Sequence, residues 1–412
     1  MWYGHPGAAF AGANDVARGR GLRTLCAGLP GLARIRPSMR WILLILSAAS
    51  VALGLLTVLP VPHFVSWRLA VLACDFGYAL ALIPLLVVIA SCLMSSIRGA
   101  FAGATRSLGV VGFALLLQPC MQARAIAGRL PAELERHFGA VRESADPFTF
   151  GGLLRGWPAP VPKRTLAYSG ALRLDFYPAS GRALAPCVIV IHGGGWDNGD
   201  RGQIAQFNDG LARSGYAVAD ISYRLAPAAI WPAQREDVAA AIAYIKAHAG
   251  DLGVDASRLV LFGRSAGGQI AEACAYGLGD PSLRGVVALY APSDMHFAWK
   301  WGKEDDALNS PSLLRRFLGG TPDTAGPAYD SASAIRLVGP HSPPTLLIHG
   351  SMDTLVWDRH SARLAERLSE AGVPNLLVSM PWATHALELN PSSPSGQLTQ
   401  FAVLWFLDSV CR

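Results

Sequence analysis

Charge is what this chain has least of. Only 16% of its 412 residues are charged and 51% are hydrophobic, a more apolar balance than that of an ordinary soluble domain. The formal net charge of +6 rests partly on arginines near the N-terminus. They include no Lys-rich block and no aromatic interleaving, so no nucleic acid is expected as a partner; anionic lipid headgroups account for the cluster more simply. Cysteine is also sparse. Cys26, Cys74, Cys92, Cys120, Cys187, Cys274 and Cys411 lie scattered, without the spacing of a metal site or a disulfide framework. No metal or organic cofactor is expected, and no solenoid-period repeat is present.

The apolar surplus is concentrated in the first third. Trp41 to Pro60, WILLILSAASVALGLLTVLP, holds no charge and is long enough to cross a hydrocarbon core of about 30 Å as a helix. Phe76 to Ile97 is again uncharged, with Asp75 just outside it, Arg98 closing its other end and Pro84 expected to kink it. A third run, Ser107 to Ala123, is shorter and carries Gln118 and Gln122; it reads either as a third span or as an amphipathic or buried helix.

Arg18, Arg20, Arg23, Arg34, Arg36 and Arg40 precede the first run, and Arg68 alone lies between the first two. Arginine at that density marks the cytoplasmic side. Three spans then carry the rest of the chain to the outer face of a multi-pass cell-membrane protein, the expected arrangement; two leave it in the cytoplasm. A cleaved leader is the rival account of Trp41 to Pro60, and the second long run speaks against it. The expected organisation is a basic segment (1–40), a membrane region (41–123), a linker with one short helix (124–164) and a globular domain (165–412).

Within that domain, apolar runs of strand length recur at 172–177, 187–192, 216–223, 258–263, 285–291, 344–350 and 375–380, with helical spacing at 235–249 and 359–372. Short apolar strands alternating with helices imply an α/β fold with a mostly parallel, doubly wound sheet. Ligands meet such sheets at the carboxyl ends of the strands. After RLVLF comes Gly263-Arg264-Ser265-Ala266-Gly267, a G-x-S-x-G in the strand, turn, helix setting of a nucleophile elbow. A serine hydroxyl needs a base, and the base a carboxylate to orient it. Asp353 follows the run at 344–350, with Asp358 as its rival, and His385 follows the run at 375–380; His341, His349 and His360 are worse placed. Nucleophile, acid and base then stand in the chain order of α/β-hydrolases.

A fourth strand end reads His192-Gly193-Gly194-Gly195-Trp196. Attack by Ser265 on an acyl carbon places negative charge on the carbonyl oxygen, and the amides of Gly194, Gly195 and Ala266 are the expected donors to it. His192 is read as shaping this loop. Phe297, Trp299 and Trp301 occupy alternate positions in DMHFAWKWGKE; with Trp196, Trp299 and Trp301 are candidate substrate-binding residues, and the segment otherwise serves as a cap or rests on the membrane.

HGGGW, YRLAP (223–227), WPAQREDVAAAIAYI (231–245), GRSAGG, the LGG-TPD segment (318–323) and HGSMDTLV (349–356) together resemble the hormone-sensitive-lipase-like and acetyl-esterase branch of the α/β-hydrolase superfamily. The resemblance runs from about Thr165 to the C-terminus. It implies an α/β-hydrolase fold, with Ser265 as nucleophile, Asp353 as acid, His385 as base, and the oxyanion site at Gly194, Gly195 and Ala266; the transmembrane helices expected before it rest on the apolar runs alone and match no motif of that family. Two departures stand out: Arg264 precedes the nucleophile where such enzymes more often carry Asp, and the histidine lies in ATHAL. The reading is a membrane-anchored serine hydrolase of carboxylic esters, short-chain or acetyl, whose partners are a small or lipid-like ester and the bilayer. A peptidase of prolyl-oligopeptidase type or an acyltransferase is the alternative on the same triad; a non-catalytic ligand-binding membrane protein is the alternative of another class.

Overall fold

A computed structural model describes residues 37–412 apart from 62, 95–98, 142–144, 157–158 and 182–183. The first five arginines of the basic segment, Arg98 and the end of the second apolar run therefore lie outside the described residues.

Eight strands form one sheet in the order β1-β2-β4-β3-β5-β6-β7-β8: β1 (Arg164–Ser169), β2 (Leu172–Tyr177), β3 (Ala185–Ile191), β4 (Ala217–Ile221), β5 (Val254–Arg264), β6 (Leu283–Leu289), β7 (Thr345–Gly350) and β8 (Asn375–Met380). β2 runs antiparallel to β1 and β4, and the strands from β4 through β3, β5, β6 and β7 to β8 run parallel to one another. Every residue of β3, β4 and β7 is buried, as a sheet covered on both faces demands. β1 is missing from the apolar pattern because only Tyr168 on this edge strand is buried.

Among the helices, α1 (Pro37–Leu55), α2 (Phe64–Leu80), α3 (Leu82–Leu93), α4 (Gly99–Ala127) and α5 (Leu130–Phe138) precede the sheet. Around the sheet lie α6 (Ala205–Arg213), α7 (Ala233–Ala247), the single turn α8 (Ala249–Leu252), α9 (Ala266–Gly277), α10 (Met295–Trp301), α11 (Ser310–Leu318), α12 (Pro322–Ala332), the single turn α13 (Ala334–Leu337), α14 (Arg359–Glu370) and α15 (Pro394–Val410).

Two described helices, α1 and α4, are long and apolar enough to cross a membrane; α2 and α3 make a third if the pair, bent by 47° at its break, is taken as one span. Small residues let these helices approach closely. A Cβ on Gly112 would lie 2.8 Å from Ser50 Cβ, and one on Gly109 2.6 Å from Val88; Ser47 Oγ also donates to Thr105 O (3.0 Å). Ile45, Val65 and Leu86 face outward.

The run expected to be one kinked helix is broken at Ala81. Pro84 has no N–H for the carbonyl of Leu80, which is where α2 stops. Asp75, expected outside a span, is buried on α2 and held by the sheet domain: Asn390 Nδ2 donates to its carbonyl (3.3 Å) and Ser395 Oγ to its carboxylate (3.2 Å). Residues 124–164 carry the end of α4 and α5. Cys120, Ala123, Ile126, Leu130 and Leu134 share one apolar core with Trp382, Leu398 and Phe406.

Candidate active site

β5 ends at Arg264 and α9 begins at Ala266, leaving Ser265 alone to make the turn. Its φ of 53° and ψ of −121° are costly for a residue with a side chain, about 1–3 kcal/mol that the surroundings must offset. Glycines make the room. A Cβ on Gly263 would overlap the carbonyl of Gly267, and one on Gly267 the carbonyls of Ile191 and His192. The Ser265 amide donates to Leu289 O (2.9 Å), and its carbonyl accepts from the amides of Gly268 (2.8 Å) and Gln269 (3.1 Å), so the turn is fastened on both sides.

Asp353 follows β7 and His385 follows β8, at the same end of the sheet. The three residues meet: His385 Nε2 lies 2.9 Å from Ser265 Oγ and His385 Nδ1 lies 2.6 Å from Asp353 Oδ2. With Nδ1–H donating to the carboxylate, Nε2 accepts from the serine hydroxyl. Asp353 Oδ1 accepts from the amides of Leu355 (2.9 Å) and Val356 (3.0 Å). Burial pushes the Asp353 carboxyl up, but the facing His385 and hydrogen bonds from His349 and His385 outweigh it and hold the group well below the usual carboxylate range. It is therefore ionised at neutral pH. Asp358 stands instead at the start of α14. His349 lies against the same carboxylate: its Nε2 is 3.0 Å from Val356 O and 3.3 Å from Asp353 Oδ2.

The HGGGW loop lies against this turn. A Cβ on Gly193 would come within 3.2 Å of Ser265 Cβ. Gly194 and Gly195 have φ of 118° and 61°, and a Cβ on Gly194 would overlap the carbonyl of Asn198. The Gly193 amide is taken by Gln203 Oε1 (2.8 Å). Among the described residues none accepts from the amides of Gly194, Gly195 or Ala266, the last of these lying in the first turn of α9, where amides lack helical partners. His192 is buried, with Nδ1 2.7 Å from Gly193 O and its ring stacked on Tyr223 at 4.2 Å; burial lowers its pKa, so it packs as a neutral ring.

Trp196 is wedged in place, stacked on Phe317 at 4.3 Å with Nε1 donating to Gln269 Oε1 (2.8 Å). It walls a cavity of about 430 Å³ together with Phe297, Trp301, Leu313 and the stretch Thr354–Val356. Trp196 and Thr354, the chain neighbours of Gly195 and Asp353, line this cavity, whereas Ser265, Asp353 and His385 do not. Trp299 does not line it. The 295–301 segment is a helix, so Phe297 and Trp301, four apart, share a face, while Trp299 turns away and packs edge-on against Tyr329. His360 also lines the cavity; burial pushes its imidazole down to about 3, leaving it uncharged. A larger cavity of about 780 Å³ includes Pro281 and Pro343, which precede β6 and β7, and so lies at the opposite end of the sheet.

Sequence reasoning missed the support behind the histidine. Arg264 Nε donates to Glu388 Oε1 (2.8 Å), both side chains being almost wholly buried. Tyr290 Oη donates to the same carboxylate (2.7 Å), and its ring sits 4.3 Å from that of His385. The only signal was a charged residue beside the nucleophile.

The chain is similar to several known esterases. The BD-FAE family model matches residues 174–368. The probable carboxylic ester hydrolase LipM of Mycobacterium tuberculosis is 29% identical over 236 residues, 55% of this chain and 54% of LipM. Esterase LipC of the same organism is 28% identical over 62% of this chain and 71% of its own length. The chain thus spans little more than half of LipM. A solved bacterial heroin esterase covers 70% of this chain and 93% of its own, at 25% identity and a TM-score of 0.55. With its sheet order, its serine turn and these similarities, the chain has the α/β-hydrolase fold and resembles the esterases built on it.

Proposed function

We propose that the protein is a membrane-anchored serine hydrolase of carboxylic esters. The reading rests on one observation above all: a continuous hydrogen-bonded line from Ser265 Oγ through His385 to a buried, ionised Asp353. Ser265 Oγ attacks the ester carbonyl carbon as His385 Nε2 takes its proton. The amides of Gly194, Gly195 and Ala266 receive the oxyanion, each donor worth about 2.7–4 kcal/mol of barrier. The C–O bond then breaks, the alcohol leaves with the proton from His385, and the acyl group stays on Ser265. Water, deprotonated by the same histidine, attacks the acyl carbon; the acid departs and the proton returns to Ser265. These are the chain's own groups throughout.

A fluorophosphonate probe tests the nucleophile: wild type is labelled, Ser265→Ala is not, and a distant serine variant keeps the label. Absence of labelling in wild type sinks the hydrolase reading. The anchoring reading takes α1, the bent pair α2–α3 and α4 as three crossings, putting the sheet domain on the outer face. A reporter fused after Arg412 is expected outside the cytoplasm, and its appearance inside would remove the three-crossing topology.

A further inference from the structure

The connection between α1 and α2, the stretch from Leu56 to His63, does not end at the helices. Its Val61 is buried, and Val61 O accepts a hydrogen bond from Thr354 Oγ1 (2.7 Å), the residue next to Asp353. His63 lines the same cavity as Trp196 and Thr354. A segment between two apolar helices is therefore part of the cavity wall and is pinned to the acid-bearing loop.

Size and lining point in one direction. About 430 Å³ lies within the usual range for a ligand pocket, and far exceeds an acetyl methyl, which is close in size to a water, about 30 Å³ of liquid. Among its lining residues Trp196, Leu313, Leu314 and Val356 are buried and Phe297 is half-buried. Lys303, Asp305 and Asp306 stand elsewhere in the lining, so the space has an apolar interior and a charged edge.

The rim has the chemistry of a lipid interface. Trp301 is 55% exposed and Trp357 40% exposed, in edge-to-face contact at 6.0 Å, with the Arg359 guanidinium 4.5 Å over Trp357. Where the α1–α2 connection meets α2, Phe64 is exposed beneath Arg68 (4.8 Å) and Val65 is 74% exposed. Exposed tryptophans and apolar side chains flanked by arginine collect at headgroup depth.

Resting on the hydrolase reading, we infer that this cavity takes the hydrocarbon chain of an amphiphilic ester lying in the bilayer interface, with the α1–α2 connection serving as a specificity wall. The ester enters from the lipid side past Trp301 and Trp357, its chain passes between His63 and Phe297, and its carbonyl reaches Ser265.

The test uses the full chain in phosphatidylcholine–phosphatidylglycerol nanodiscs, with 4-nitrophenyl acetate and 4-nitrophenyl decanoate as probes. Wild type is expected to show kcat/KM for decanoate at least about tenfold above acetate, since each methylene seated in an apolar pocket gains roughly that factor or more. His63→Trp, which fills the cavity, is expected to lower that ratio about tenfold, and Thr354→Val, which frees Val61, to lower it about threefold. Fluorophosphonate labelling of each variant reports whether Ser265 is still presented. Equal turnover of the two esters by wild type, or ratios in both labelled variants within about twofold of wild type, would overturn the inference alone. If neither ester is turned over and wild type takes no label, the hydrolase reading falls and this inference with it.

Discussion

Arg264 is 1% exposed and Glu388 fully buried, so each charge depends on the other. Two ions taken out of water lose several kcal/mol of hydration apiece, recovered only by close pairing and further hydrogen bonds. Tyr290 supplies one, and the Arg264 guanidinium also lies 4.8 Å over the Phe262 ring. Arg264 precedes Ser265 and Glu388 lies just beyond His385, so the pair joins the serine turn to the histidine loop. Glu388→Ala strands a buried guanidinium and is expected to cost about 3–5 kcal/mol in urea unfolding, whereas Arg264→Met with Glu388→Met should recover most of that loss. Fluorophosphonate labelling should slow in both, since Tyr290 loses its anchor beside His385. A single variant as stable as wild type would show that the pair carries no such burden. The unusual arginine of the G-x-S-x-G motif thus has a physical use that local sequence does not reveal: its partner is 124 positions away.

At the scale of elements, α9 carries another buried carboxylate, Glu272. Burial raises Glu272 from 4.5 to about 8, with the Ser293 hydroxyl pulling the other way. A group whose folded pKa is raised holds a proton in the fold that the open chain has released, so stability is greatest below about 4.5 and falls as pH rises to about 8. Glu272→Gln should flatten that slope and raise Tm at pH 8 while changing it little at pH 4.5, by about 2–4 °C for each kcal/mol; equal shifts at both pH values would refute it. The elements themselves were unequally legible. β3, β5, β7 and β8 stand out because buried parallel strands are runs of aliphatic residues, and Ser265, Asp353 and His385 could be picked out because each follows such a run. β1 could not, being exposed along most of its length. Trp299 and Trp301 were both candidates for the substrate pocket, yet a short helix with Asp294 capping the Phe297 amide (3.0 Å) sends Trp299 elsewhere. The second apolar run, read as one helix kinked by Pro84, is a pair broken at Ala81, because hydropathy marks lipid-like stretches without marking where a helix breaks. Pro84 supplied the break, and the docking of Asp75 turned α2 onto the sheet domain.

Across the whole molecule, the N-terminal helices and the sheet domain act as one packed body. α2 touches the histidine loop through Cys74 Sγ, which donates to Trp382 O (3.0 Å), and through Asp75, bonded to Asn390 and Ser395. The α1–α2 connection holds the acid loop at Thr354, and α4 adds Cys120, Ala123 and Ile126 to the core beneath α15. Loops on both sides of the triad are therefore braced by residues far outside the region that matches the family model. Removing residues 1–127 would uncover that shared apolar core, each large side chain so exposed losing about 1.5–3 kcal/mol of burial. The truncated chain is expected to aggregate or, if kept in detergent, to melt at least about 10 °C below the full chain, several kcal/mol at about 2–4 °C each. It should also label slowly at Ser265, because Thr354 and Trp382 have lost their partners. Calorimetry of both chains in the same detergent decides the matter: a truncated protein that melts with the full chain and labels at the same rate would mean that the helices only tether the domain, whereas joint loss of Tm and labelling rate identifies them as part of the scaffold holding acid and base in line.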